Sequence, residues 1–280
     1  MRFAFMPVLS HEPSSWPRLL AMFQAADEME FFESGWLFDH SSSAAVDMSG
    51  PCYETWTVMA ALAQATSRLR LGTMVLAVAR RHPALLAQMA LTFDTISEGR
   101  LELGIGAGWR ELDHLPQGVP FGTPASRADR LDEGCEALVR LLSGHTVSAH
   151  GSFFTLTEAR CDIPPVQRPH PPLCIGGGGE RRTLPTAARW AQHWNHPGGR
   201  VEDFSRKRLL LLRCCAQLGR DPSEIITSAT IHGEDSAPER MVKDVARLTE
   251  AGADLVILRI RPPHEAARLE RLATALEPLR

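Results

Sequence analysis

Three groups of residues in this 280-residue sequence combine types that chemistry requires. Asp39 and His40 are adjacent, and a carboxylate beside an imidazole can move a proton equilibrium toward neutral pH, which suits general acid or base work. A surface Asp-His dipeptide is the plainer reading. The run Gly176, Gly177, Gly178, Gly179 leads into Glu180-Arg181-Arg182-Thr183-Leu184, which can open a helix. Glycines let backbone approach a phosphate, and the free N–H groups and positive end of that helix would stabilise the anion. Arg181 or Arg182 could add a charge-assisted contact. A flexible loop with no ligand is the alternative. Gly104, Gly106, Ala107 and Gly108 leave room for a flat ring system and are followed by Trp109 and Glu111. A tight turn at a strand end would need the same glycines for its backbone angles.

The patterns that are missing narrow the chemistry further. The glycine run lacks G-x-x-x-x-G-K-[ST] and does not fit G-x-G-x-x-G, so neither a Walker nor a Rossmann nucleotide site is indicated. There is no G-x-S-x-G elbow for acyl transfer. No histidine pair has H-E-x-x-H spacing and no cysteines form C-x-x-C, so no metal is expected. The six cysteines, with Cys214 and Cys215 adjacent, read as reduced thiols of a cytoplasmic protein. His145, His150 and His170 fall in a loop-like region and are expected to face solvent.

The elements that must position these residues alternate. Short apolar runs near residues 2–8, 35–38, 69–76, 101–105, 173–175, 191–194, 225–231 and 254–258 read as strands. Stretches of helical period lie between them, among them residues 14–33, 53–67, 83–96, 127–142 and 204–218, with Pro83 at a first helical position. Eight such units imply an α/β fold, a single (β/α)8 TIM barrel spanning residues 1–280 as one domain. A rim insertion near residues 144–172 interrupts it: a hairpin arm over 151–156, then a Pro-rich segment that cannot be helical. In such a barrel ligands bind where the strands end, which selects His11, Asp39, His40, Arg80, Arg81, His82, residues 106–111, the glycine run, Asn195, His196 and His232.

Hydrophobic residues make up 44% and charged residues 22%, a balance that can bury a large core and excludes a disordered chain. The net charge of −3, from 30 basic and 33 acidic residues without long runs of either sign, leaves no footprint for nucleic acid. No stretch is long and apolar enough for a membrane span, and the start of the chain does not read as a signal peptide.

Several motifs agree, in order, with one family. The segments 35–40 (GWLFDH), 54–57 (ETWT), 69–75 (LRLGTMV), 81–87 (RHPALLA), 97–109 (SEGRLELGIGAGW) and 172–179 (PLCIGGGG) resemble the bacterial-luciferase-like flavin monooxygenases and coenzyme F-420-dependent oxidoreductases. The resemblance implies a TIM barrel holding FMN or the deazaflavin coenzyme F-420 at its mouth. Met74, Val75, Gly106, Ala107, Gly176, Gly177, Gly178, Gly179 and Arg181 become the cofactor-binding candidates, the glycine loop carrying the phosphate. A non-proline cis peptide behind the ring would join Met74 to Val75. His40 becomes the first catalytic candidate, Asp39 its orienting partner and Glu111 a further one. His11, Trp109 and Trp194 are the substrate-pocket candidates.

The sequence also departs from the family. A glutamate acid of one dehydrogenase type is replaced by Trp109, and the common Asp-Gly-Trp-Asn is Gln192-His193-Trp194-Asn195. The function implied is hydride transfer between coenzyme F-420 and a small organic substrate. The alternatives are an FMN-dependent monooxygenase using reduced flavin and oxygen, a non-catalytic flavin-binding protein, and a flavin-free barrel acting on sugar phosphates. A homodimer, with a flavin or deazaflavin reductase as partner, is the family expectation.

Overall fold

The structure is a computed structural model that describes residues 1–8, 15–40, 52–198, 200–233 and 238–280. Eight strands form the barrel: β1 (Arg2–Pro7), β2 (Phe32–Leu37), β3 (Arg70–Thr73), β4 (Leu101–Gly106), β5 (Leu173–Gly176), β6 (His193–His196), β7 (Ile226–His232) and β8 (Leu255–Ile260). All neighbours are parallel, from β3 through β2, β1, β8, β7 and β6 to β5 and β4. The ring closes where Leu71 and Gly72 of β3 pair with Leu101 and Glu102 of β4. The helices are α1 (Ser15–Glu28), α2 (Thr55–Ala65), α3 (Pro83–Ile96), α4 (Pro124–Leu142), α5 (Thr183–Trp190), α6 (Val201–Leu218), α7 (Pro238–Glu250) and α8 (Ala266–Leu276). This is the TIM barrel that the strand count implies.

Local sequence sets several boundaries. Pro83 opens α3, where its missing N–H would have had no partner, and the His82 ring accepts from the N–H of Ala84. α4 begins three residues before the apolar period suggests, because Thr123 and Ser126 cap it reciprocally. α6 stops at Gly219, whose φ of 65° lies in the left-handed region.

Two cores follow from strand alternation. The larger lies between barrel and helices and includes Phe5, Leu71, Ile105, Ile175 and Trp194. The smaller, inside the barrel, is built from Ala4, Met6, Trp36, Met74, Cys174, Leu255 and Ile257. Polar side chains complete the interior: the His193 ring bonds Ser228 Oγ at 2.7 Å, and Asn195 Nδ2 donates to the same oxygen at 2.8 Å.

The insertion contains an antiparallel pair, Val147–His150 with Thr155–Ala159. The Glu133 carboxylate of α4 accepts from the N–H groups of Ser152, Phe153 and Phe154, pinning the hairpin tip along the flank. The Pro-rich segment then closes the strands' N-terminal side. Gln167 accepts from Arg70, which is paired to Glu102 at 2.6 Å, and donates to Asp94. His170 is buried there rather than facing solvent. Among the described residues no helix is long and apolar enough to cross a membrane.

Candidate functional site

The C-terminal ends of the strands bring together residues far apart in sequence. His40 follows β2, and its Nδ1 lies 2.7 Å from Oδ2 of Asp113, in the turn after β4. Both side chains are shielded, at 12% and 6% exposure, so the pair holds its geometry without competing water. The Cys52 thiol donates to the His40 carbonyl at 3.1 Å. Burial, reinforced by the charges of Asp113 and Asp39, pushes that thiol up to about 11, so Cys52 stays neutral beside the pair.

Asp39 does not orient His40. Its carboxylate, 3% exposed, is held by Arg80 at 2.9 Å and by Arg81 at 2.8 Å, and Arg81 continues to Glu54, the cap of α2. Adjacent residues on an extended chain point to opposite sides, so one carboxylate cannot serve both the helix layer and the His40 ring. Asp39 therefore fixes the loop that carries His40, and Asp113 orients the imidazole. Glu111, two residues before Asp113, is exposed at the start of the same short turn.

Aromatic rings line one side of the mouth. His40 sits 5.5 Å from the Phe38 ring, and Trp109 meets His40 edge-on at 6.2 Å. Trp109 is 69% exposed, which puts it on the rim. The Met74–Val75 peptide is cis, as the family resemblance implies. Val75 is half-buried between the ends of β4 and β5. A Cβ on Gly106 would come within 2.6 Å of its Cγ2, and one on Gly176 within 2.8 Å of its Cγ1, so both glycines are required for this seat. Ala107 follows, packed against the outer core.

The glycine loop is held from below and open above. Gly177, with φ of 133°, donates its N–H to the Asn195 carbonyl at 3.1 Å and accepts from Trp194 Nε1 at 2.8 Å. Trp194 is fully buried and stacked on Phe204, so it anchors the loop instead of lining a substrate pocket. Among the described residues none accepts from the N–H of Gly178 or Gly179. Lys207 of α6 reaches this loop: a Cβ on Gly178 would meet its Nζ at 2.5 Å. The ammonium is paired to Asp203 at 3.1 Å and is mostly shielded. Behind it the buried His196 is held below the usual imidazole range by desolvation and by the Lys207 charge. Arg181 is exposed, whereas Arg182 pairs with Asp129 of α4. Open N–H donors, a helix N-terminus and a lysine could hold one phosphate, and the ring-lined space beside Val75 has the shape for a flat heterocycle. The residues present fit a phosphate-bearing flavin or deazaflavin.

His11 lies outside the described residues. Asp113 and Lys207 were invisible to motif reasoning, whereas Arg80 and Arg81 stood among the strand-end candidates without a partner assigned to them. The hint of Asp113 was a second carboxylate within four residues of Trp109; Lys207 carries no motif, because it reaches the loop from a helix 29 positions away. Among the described residues no group of three or more His, Cys, Asp or Glu is placed to hold a metal ion.

Comparison with known proteins gives the family and matches the fold. The chain is 31% identical to the phthiodiolone/phenolphthiodiolone dimycocerosates ketoreductase of Mycobacterium tuberculosis over 281 aligned positions, covering 90% of this chain and 71% of the relative. The fold matches the coenzyme F-420-dependent tetrahydromethanopterin reductase of Methanopyrus kandleri with a TM-score of 0.81 at 19% identity, over 99% of both chains. It matches a monooxygenase from Streptomyces bottropensis with a TM-score of 0.83 at 20% identity, over 100% of this chain and 99% of the other. Residues 3–275 match the family described as luciferase-like monooxygenase. With that match spanning the whole barrel, the chain belongs to the luciferase-like monooxygenase family.

Proposed function

We propose that this protein is a coenzyme F-420-dependent oxidoreductase that reduces a carbonyl group of a small organic substrate. The observation that carries this reading is the shielded His40–Asp113 pair, set at a ring-lined mouth beside a separate phosphate cradle. When bound, the cofactor supplies the hydride. The protein's own task is then to deliver a proton to the oxygen that becomes a hydroxyl. His40 does this from the ring nitrogen remote from Asp113. The carboxylate keeps Nδ1 protonated, fixes the ring's orientation and stabilises the imidazolium before transfer. Gly178, Gly179 and Lys207 hold the cofactor phosphate, with Arg181 adding charge at the entrance, and Val75 supports the ring. The name of the mycobacterial relative, a ketoreductase, and the cofactor of the Methanopyrus enzyme support the same reading.

An FMN-dependent monooxygenase is the second reading, supported by the Streptomyces neighbour and by the family description. Such a reaction has less use for a fixed proton donor. Titration of the purified protein with coenzyme F-420, FMN and reduced FMN in parallel tests the choice. Selective binding of coenzyme F-420 is expected; selective binding of reduced FMN with oxygen consumption would replace the first reading by the second.

A further inference from the structure

The barrel mouth holds a cation that the proton relay and the phosphate cradle leave unused. On β8, Leu255 and Ile257 point into the barrel core, and Arg259 continues that alternation at the strand's C-terminal end. Its neighbours in register are Met6 on β1 and His232 on β7. The guanidinium lies 5.2 Å from the centre of the Phe38 ring, the same ring that packs against His40. Arg259 is only partly exposed, and its Nε is shielded from solvent with no hydrogen-bond partner among the described residues. No carboxylate pairs with it among those residues. Burial, with the charge of Arg261 adding to it among the described residues, disfavours its charge.

This contrasts with three of the arginines near the mouth. Arg80 and Arg81 are neutralised by Asp39, and Arg182 by Asp129. A shielded guanidinium with no counter-ion among the described residues is an unfavourable arrangement that an incoming anion would relieve. The glycine cradle follows β5, and β6 and β7 separate β5 from β8. Arg259 thus stands apart from the cofactor phosphate and one aromatic ring away from the proton donor.

We propose that Arg259 binds an oxyanion, a carboxylate or phosphate group carried by the organic substrate, and thereby positions the reacting carbon toward His40. The assignment to the substrate rests on the carbonyl-reduction reading; the oxyanion site itself does not.

The test is calorimetric titration of the full-length protein, without cofactor, with inorganic phosphate and separately with benzoate. The unaltered protein and Gly178→Asp are compared with Arg259→Met and Arg259→Lys, each made in both backgrounds. Measured in the Gly178→Asp background, where the cradle is blocked, Arg259→Met is expected to weaken at least one probe by about tenfold or more, as loss of a charged hydrogen-bond donor does. Arg259→Lys keeps the charge and is expected to retain most of the affinity. Gly178→Asp, which blocks the cradle, is expected to remove phosphate bound in the cradle and to leave the anion bound at Arg259 intact. The probe whose binding Arg259→Met weakens more names the substrate's anionic group. Binding unchanged in Arg259→Met, or abolished only in Gly178→Asp, would overturn the proposal. So would an Arg259→Met protein that loses coenzyme F-420 or FMN to the same degree, because the anion would then belong to the cofactor. Failure of the unaltered protein to bind either cofactor would defeat the carbonyl-reduction reading while leaving the oxyanion titrations to stand or fall independently.

Discussion

His40 and Asp113 are 73 positions apart, yet Nδ1 of one lies 2.7 Å from Oδ2 of the other. The contact exists because β2 and β4 end on the same side of the barrel and the turn after β4 folds back across the mouth. Replacing His40 by Ala is expected to lower turnover by about 100-fold or more, the range of a lost general acid, with cofactor affinity little changed. Asp113→Asn should also lower turnover, since an amide can favour the wrong imidazole tautomer. Steady-state rates set beside cofactor titrations check both; equal losses of rate and affinity in His40→Ala would refute the proton-transfer role.

Asp39 is expected to act on stability. Neutralising it leaves Arg80 and Arg81 without their buried counter-ion, which costs about 3–5 kcal/mol when one partner of such a pair is removed. Urea unfolding of Asp39→Asn measures this. A variant as stable as the parent but inactive would return Asp39 to the catalytic set.

The seat of Val75 predicts a rescue. Gly106→Ala brings a methyl group to 2.6 Å from Val75 Cγ2, so Val75 must shift and cofactor affinity should fall. Adding Val75→Ala removes that methyl and should restore part of the binding. Fluorescence titration of the single and double variants gives the coupling; strictly additive losses would show that the two residues do not share the seat.

The phosphate cradle can be probed from both of its sides. Gly178→Asp places a negative charge where the phosphate would lie and is expected to weaken FMN or coenzyme F-420 by more than about tenfold. Lys207→Met removes a positive charge and should flatten the salt dependence of cofactor affinity. Affinities unaffected by either substitution would mean the phosphate binds elsewhere.

Stability should depend on pH through His193. Burial, with the charge of Arg2 adding to it, holds this histidine down to about 3, against an ordinary value of 6.5. Between these values the unfolded chain binds a proton that the folded chain refuses. The contribution is therefore complete above about pH 6.5 and is lost as pH falls toward 3. The slope is about 1.4 kcal/mol per pH unit. His193→Gln should show a shallower decline below pH 6.5 in denaturant unfolding; an unchanged slope would place the pH sensitivity on other groups.

The sequence by itself determined the barrel, because eight apolar runs alternating with helical periods admit one common closed arrangement. The glycine run was legible from its residues, because a close backbone approach demands glycine at one place in the chain, whereas the Met74–Val75 bond was legible only through the resemblance of segment 69–75 to the family. Which carboxylate serves His40, which lysine reaches the loop, and that Trp194 lies beneath the loop were decided only by tertiary structure. Those relationships join different βα units, and their distances depend on how strands tilt and turns fold over the mouth. A charged side chain's own spacing carries no record of the partner it will meet across the barrel.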